Sequence, residues 1–186
     1  TDQVPERAIG DLIGRYGTLD ASDGGRASRY SLSARAARTG EWGTSGVSAY
    51  VLHSRLNLFN NFTYALDDPE HGDQFQQSDR RWVMGLDARH SLPTTLPIGL
   101  GGLPLLLRAG VQGRFDDIRL GLARTQDRAF LSSIRRDAVR QGSGGLWGDA
   151  VLTALPWLRV TAGLRGDVVG GRVRSDLAAN SGTARD

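Results

Sequence analysis

Apolar and polar residues alternate along most of this chain with a period of two, the pattern of β-strands with one apolar and one polar face. From Arg29 to Arg38, Tyr30, Leu32, Ala34 and Ala36 share one face, while Arg29, Ser31, Ser33 and Arg35 take the other. A short turn is expected at Gly40 to Gly43. The next alternating stretch runs from about Thr44 to Leu66, with Tyr50, Leu52, Leu56, Leu58, Phe62, Tyr64 and Leu66 in phase and His53, Arg55 and Asn57 opposite. That stretch is far longer than the roughly five or six residues of an ordinary strand in a soluble sheet. A strand that crosses a bilayer at a tilt and continues beyond it reaches such a length.

A polar loop is predicted from Asp67 to Asp79, followed by a strand with Trp82, Met84, Leu86 and Ala88 on one face and Arg81, Gly85, Asp87 and Arg89 on the other. Ser91 to Pro104, rich in Pro and Gly, reads as a turn. Alternation resumes with Leu105, Leu107, Ala109, Val111 and Phe115 against Arg108, Gln112, Arg114 and Asp116. The parity then changes at Asp116–Asp117, because Ile118, Leu120 and Leu122 are even-numbered, and a β-bulge is expected there. Polar residues from Thr125 to Arg136 predict a second long loop. In Asp137 to Thr153 the phase is ambiguous, Leu146, Gly148, Ala150 and Leu152 competing with Trp147 and Val151 for the apolar face. After a short turn at Ala154 to Trp157, Leu158, Val160, Ala162 and Leu164 face away from Arg159, Arg165 and Asp167, and Gly170-Gly171 suggests another bulge. About six long strands result.

Short connections at 40–43 and 154–157 alternate with longer polar ones at 67–79 and 125–136, the asymmetry of an up-and-down transmembrane barrel. The apolar 91–104 connection is the exception on the short side. Tyr30, Trp42, Phe62, Tyr64, Trp82, Phe115 and Trp157 fall near predicted strand ends, where aromatic girdles sit at membrane interfaces. Arg35, Arg55, Arg81, Arg89, Arg108, Arg114, Arg159 and Arg165 avoid the apolar parity, as they must if that face meets lipid, where an Arg costs about 2–4 kcal/mol at the midplane. With Asp87, Asp116 and Asp167 they predict a hydrated lattice of ion pairs on the opposite face. Periodicity alone leaves open which face meets water; the strand lengths favour the apolar face pointing outwards.

Composition narrows the chemistry. All 23 basic residues among the 186 are Arg, against 20 acidic ones, and they are dispersed rather than gathered in a tract, which argues against a nucleic-acid partner. No apolar run reaches 18 residues, so a transmembrane helix is excluded. The opening TDQVPERAIG lacks a leader pattern. Without Cys there is no disulfide framework, thiol nucleophile or cysteine metal site. His53, His71 and His90 are scattered, and His71 in DDPEHGD reads as part of a polar surface loop, so no metal is expected. GLGGLP and GSGG lack a Walker lysine and a dinucleotide-loop context, and Ser132–Ser133 have no nucleophile elbow around them. Neither enzymatic activity nor a cofactor is predicted. The 25 glycines, about twice the usual share, supply turns and sheet curvature.

Ile9 to Gly25 (IGDLIGRYGTLDASDGG), RYSLSARAART, the stretch from Leu56 to Arg81, and Arg140 to Asp167 with its WLRVTAGLRGD pattern resemble the barrel of a TonB-dependent outer-membrane receptor. The resemblance covers about Ile9 to Asp176. It implies an all-β fold: a partial antiparallel up-and-down transmembrane β-barrel, about six long strands of a barrel of about 22 that encloses a plug. The energy-coupling box, the plug domain and a terminal strand ending in an aromatic residue have no counterpart here. Residues 1–186 are therefore expected to be an internal fragment of such a receptor, since six strands cannot close a membrane barrel.

By the same resemblance the parent is an active-uptake receptor in the Gram-negative outer membrane, taking up a scarce nutrient, first among them a ferric siderophore, energised through TonB. Its partners would be outer-membrane lipid, its own plug domain, the TonB energy-coupling protein and a small nutrient chelate. Arg108, Arg114, Arg165 and Asp167 would face the lumen or plug. Ile9 to Gly25 and the loop residues Asp68, His71, Asp73 and Gln74 would be extracellular. A passive outer-membrane porin or channel is the alternative. A soluble β-sandwich, whether enzyme or binding module, would instead bury Tyr30, Leu32, Leu56, Leu158 and Val160 in a closed core.

Overall fold

The computed structural model describes residues 6–10, 13–14, 16–99, 101–176 and 181–185. Asp11, Leu12 and Arg15 of the predicted Ile9–Gly25 loop, and Leu100 of the predicted 91–104 turn, lie outside the described residues. After a 3-10 turn at Glu6–Ala8, the chain forms β1 (Gly24–Gly40), β2 (Gly43–Asn60), β3 (Phe75–Leu96), β4 (Leu103–Gln126), β5 (Ala129–Leu155), β6 (Leu158–Ser175) and a short β7 (Gly182–Arg185). All pair antiparallel in one sheet of order β1-β2-β3-β4-β5-β6-β7, so each strand neighbours the next in sequence. The six expected long strands are present. β4, with 24 residues, is roughly 80 Å long at ~3.3 Å per residue.

The sheet is a single layer. Among the described residues only Ala8, Phe59 and Val83 are buried apolar side chains. Leu164 is 87%, Leu32 72% and Leu146 68% exposed, which leaves far more open apolar surface than a soluble monomer carries. What holds the strands is the backbone ladder, almost unbroken: β3 and β4 pair continuously from Phe75↔Arg124 to Leu96↔Leu103.

Register assigns every side chain to a face. One face, here the polar face, carries Arg35, Ser48, Asp87, Gln112, Gly145 and Asp167 in a single cross-strand row. The other carries an apolar band: Leu32 opposite Val51, Val51 opposite Met84, Met84 opposite Phe115, with Leu107, Val111, Leu146, Leu152, Val160 and Leu164 in phase on β4 to β6. The ambiguous phase of β5 is thereby resolved. Leu146, Gly148, Ala150 and Leu152 lie on the apolar face, whereas Trp147 and Val151 share the face of Arg108 and Asp149.

Several sequence expectations are corrected. The stretch Thr44–Leu66 is not one strand: β2 ends at Asn60, and Phe62, Tyr64 and Leu66 belong to the following loop. Its expected phase is inverted, because Tyr50, Leu52, Leu56 and Leu58 lie on the polar face and Val47, Ala49, Val51 and His53 on the band side. Both faces of β2 carry large side chains, so only pairing with Leu32 and Trp82 decides between them. Arg55 consequently lies on the band side, apart from the other seven arginines of the expected set.

Neither expected bulge exists. The ladder runs straight through Val83↔Asp116 and Trp82↔Asp117, and through Gly142↔Gly170 and Gln141↔Gly171. The parity changes because the band ends there: beyond it the band side becomes polar, with Asp117, Arg119, Arg172 and Arg174, and Ile118, Leu120 and Leu122 appear on the polar side. The long loop expected at Thr125–Arg136 is a two-residue hairpin, Asp127-Arg128, between extended strands. Both its residues have positive φ, 49° and 67°, the geometry of a type I′ turn. The Ser91–Pro104 turn contracts to the residues between Leu96 and Leu103, and Phe75–Asp79 of the expected loop is already β3. Tyr30, Trp82 and Phe115 are not at strand ends, since their strands continue past them.

Two glycines are required by close approach. A Cβ at Gly85 would collide with the Tyr50 ring, and one at Gly110 would stand 2.6 Å from the Trp147 indole. Each aromatic lies flat over its cross-strand neighbour, the arrangement that covers a glycine gap in a sheet. Gly110→Val is expected to destabilise the fold by about 1–3 kcal/mol, the usual cost of overpacking. The double variant Gly110→Val/Trp147→Ala should recover part of that loss, measured by denaturant unfolding midpoints.

Candidate functional site

The polar face is a lattice of in-strand and cross-strand ion pairs. Strand periodicity sets residues i and i+2 side by side, and Arg114 with Asp116 and Arg165 with Asp167 use this spacing. Arg114 binds Asp116 through Nε and Nη2, both at 2.9 Å. Arg165 grips Asp167 at 2.7 and 2.6 Å and donates from Nη2 to Gln112 Oε1 at 3.0 Å. Gln112 Nε2 donates in turn to Asp87 at 2.9 Å. Arg108 reaches across to Asp149 with a two-pronged pair at 2.7 and 2.9 Å. Arg81 pairs with Asp79, and Arg135 with Asp137 at 2.6 Å. Asp116 is only 3% exposed and also accepts from Gln141 at 3.2 Å.

Thus Arg108, Arg114, Arg165 and Asp167, the predicted wall residues, share one face, and three of the four sit around a hollow of about 460 Å³ with Tyr50, Asp87 and Gln112. Arg108 lies nearer the short-turn end, beside Asp149. Asp149 and Gln112 were not predicted as partners. Asp149 sits in the segment of ambiguous phase, and the odd parity shared with Trp147 is the signal that would have placed it opposite Arg108.

The predicted loop residues serve one another. Asp73 accepts the backbone N–H groups of Leu66, Asp67 and Asp68 at 2.8–3.1 Å. The Thr63 hydroxyl, with these amides, holds the Asp73 carboxyl down to about 2. Asp68 accepts from the His71 and Glu70 amides at 3.0 and 3.2 Å and from the His71 ring at 3.3 Å, and the His71 amide leads in lowering its pKa. These two carboxylates therefore fold the 61–74 loop rather than standing free in solvent.

Gln74 is 2% exposed and forms a hub. Its Oε1 accepts from Thr125 Oγ1 at 3.0 Å and the Arg128 amide at 2.9 Å, while its Nε2 donates to Ser22 Oγ at 2.6 Å. Arg128, unpredicted, donates to the Ser22 and Asp23 carbonyls and lies 5.4 Å over the Phe59 ring. The hub clasps the segment before β1, the 61–74 loop and the β4–β5 hairpin together at one end of the sheet. Nothing in local sequence flags Arg128, because its partners lie from 54 positions (Gln74) to 106 positions (Ser22) away in the chain.

Among the described residues no group of three or more His or acidic side chains is poised to hold a metal ion. A scan against protein-family models and a search of curated proteins each returned no match.

Two outcomes are expected. Arg114→Ala strips the nearly buried Asp116 of its bidentate partner and should cost about 1–3 kcal/mol, with Arg114→Ala/Asp116→Ala less destabilised than the sum of the single variants in a double-mutant cycle. Asp73 has its folded pKa lowered from 3.8 to about 2, so its contribution to loop stability is complete above the unfolded value and lost as pH falls through about 2. Amide exchange at Leu66, Asp67 and Asp68 should stay protected between those two values in the native chain and lose protection throughout that range in Asp73→Asn.

Proposed function

We propose that this sheet is part of the wall of an outer-membrane β-barrel, its apolar band against lipid and its ion-pair lattice towards a hydrated interior. One observation carries the reading: an apolar band crosses six strands, from Leu32–Ala36 on β1 to Leu164–Val168 on β6, bordered on β1 to β3 by the row of Arg38, Ser45 and His90, and on β4 it reaches membrane dimensions. On β4 it runs from Leu105 to Phe115, about 33 Å along the strand and about 23 Å in height at a tilt of ~45°, against the ~25 Å expected of a lipid-facing band. Aromatics mark its limits. Trp42 and Trp157 occupy the tight turns at one end, and Tyr30, Trp82 and Phe115 lie at the other. Hydrocarbon does not tolerate the open edges of β1 and β7, so closure by further strands of the same barrel accompanies the proposal.

Within that class, the reading supported best is an active-uptake receptor of the TonB-dependent kind, in a Gram-negative outer membrane, with a ferric siderophore as the first candidate cargo. The resemblance of the strand segments supports it, and so does the upper wall. β4 continues from Asp117 to Gln126, about 30 Å in length, and there the interior side sets Leu56, Leu58, Leu120, Leu122 and Val139 among the ion pairs Arg81–Asp79 and Arg135–Asp137. A vestibule that mixes leucines with ion pairs above a charged wall suits capture of a bulky amphipathic chelate. The plug of the parent chain and the TonB energy-coupling protein are the partners this mechanism requires.

The whole protein in bilayers containing brominated lipid should show quenching of Trp82 and of the turn tryptophans Trp42 and Trp157; a protein that stays monodisperse without detergent refutes the membrane reading. Deleting the gene should abolish uptake of a ferric chelate that depends on the inner-membrane proton gradient. Chelate entry that persists after the gradient is collapsed would favour the porin.

A further inference from the structure

Directly beyond the aromatic edge of the band, the same face carries a row of arginines. Arg55, Arg80 and Arg119 are cross-strand partners on adjacent strands, Arg55↔Arg80 and Arg80↔Arg119. Such opposed positions place Cβ atoms about 4.5–5.5 Å apart, where like charges repel. Arg174 continues the same row through Ala138, and Arg26, Arg136, Arg140 and Arg172 lie on the same side of the sheet in the neighbouring rows. Of these eight, only Arg140 has a carboxylate within ion-pair distance among the described residues, Asp117 at 3.2 Å.

The row is built rather than incidental. Arg55 donates from Nε to His53 Nε2 at 3.0 Å, and His53 Nδ1 lies 3.1 Å from the Arg81 carbonyl oxygen, which can only accept. The imidazole stacks on Trp82 at 4.3 Å between centroids. Trp82, His53 and Arg55 thus form a ladder that leads from the band edge to the charged row. A concavity of about 1320 Å³ beyond takes in Arg26, Arg55, Arg80, Arg119, Arg136 and Arg174 on this side, with Asp176 among them, and reaches Leu56, Asp79, Leu120 and Asp137 of the opposite face.

We propose that this hollow binds the phosphate groups of an anionic membrane lipid in the leaflet at the 61–74 loop end. Charge complementarity calls for an anion with more than one phosphate, because arginines outnumber carboxylates on this side of the hollow, Arg55, Arg80 and Arg119 stand in one row, and Arg matches phosphate with paired donors. Continuity with the apolar band makes the occupant an amphiphile: acyl chains lie over Leu32, Val51, Met84 and Phe115, the aromatic row meets the glycerol or sugar level, and phosphates enter the hollow. A free anion would leave the band without a role in binding. Bound phosphates also relieve the repulsion within the arginine row, so lipid and sheet stabilise each other.

This inference rests on the membrane reading above, and the experiment separates the two. The whole protein, inserted in phosphatidylcholine bilayers, is titrated with cardiolipin as a two-phosphate probe and with phosphatidylglycerol as a one-phosphate probe, and lipid retained after extraction is counted by native mass spectrometry. Cardiolipin should be retained over phosphatidylcholine, and Arg55→Gln/Arg80→Gln/Arg119→Gln should lower that preference by about a hundredfold, the product of three cations near an anionic surface. The corresponding triple Lys variant should keep most of it, and Arg35→Gln on the polar face all of it. Added salt should weaken retention. Insertion of native and Gln-variant protein, read by tryptophan quenching with brominated lipid, together with an unchanged cardiolipin preference, overturns this inference alone. Equal competition by soluble pyrophosphate also overturns it, since the site would then take a free anion. Failure of the native protein to insert overturns the membrane reading and this inference with it.

Discussion

The antiparallel hydrogen-bond ladder is the interaction on which everything else here depends. A one-layer sheet has no interior in which to bury its apolar side chains, and among the described residues the buried apolar side chains are only Phe59, Val83 and Ala8. The ladder satisfies the backbone but contributes little net free energy where water competes for the same groups. Its worth rises where water is absent, because an unpaired amide in hydrocarbon costs several kcal/mol. On the proposed reading, the same band that would destabilise this sheet in water is what makes its ladder robust in a bilayer.

The two faces answer to that ladder in different ways. Along the band, side chains need only be apolar, so Leu, Val, Ala and Gly interchange on β4 to β6 without a fixed packing partner. The polar face is specified pair by pair: Arg108 needs Asp149 directly opposite, and Arg165 needs both Asp167 beside it and Gln112 two strands away. A slip of one residue would carry every one of these charges onto the band. The ion-pair lattice therefore pins the register, a role that does not require each exposed pair to be strongly stabilising. At the loop end, Gln74 and Arg128 perform the same task for connections that have no ladder of their own.

Much of the fold was legible because strand alternation is a local signal. The six long strands, the turns at Glu41-Trp42 and Pro156-Trp157, and the shared face of Arg114, Arg165 and Asp167 all follow from parity read a few residues at a time. Reading failed where parity had two causes. At Asp116–Asp117 a change of environment along a straight strand has the same signature as a bulge, and no local pattern tells them apart. The Asp127-Arg128 hairpin was hidden because Arg is unusual at a left-handed turn position; contacts to Gln74, Ser22 and Asp23 hold it there. Of the candidate wall, the arginines were visible from the chain, while Asp149 and Gln112 needed the register of neighbouring strands.

By itself the sequence determined that the chain is a succession of long, two-faced strands with most of their arginines, among them Arg35, Arg81, Arg108, Arg114 and Arg165, opposite the apolar face, because side-chain direction alternates with a period of two whatever the rest of the molecule does. Only the tertiary structure decided which side of β2 joins the band, that Arg55, Arg80 and Arg119 stand in one row, and that Gln74 is a buried clasp rather than an exposed loop residue. Those facts depend on which residues lie opposite one another across strands, and cross-strand register is set by the whole ladder and its turns rather than by any stretch of chain.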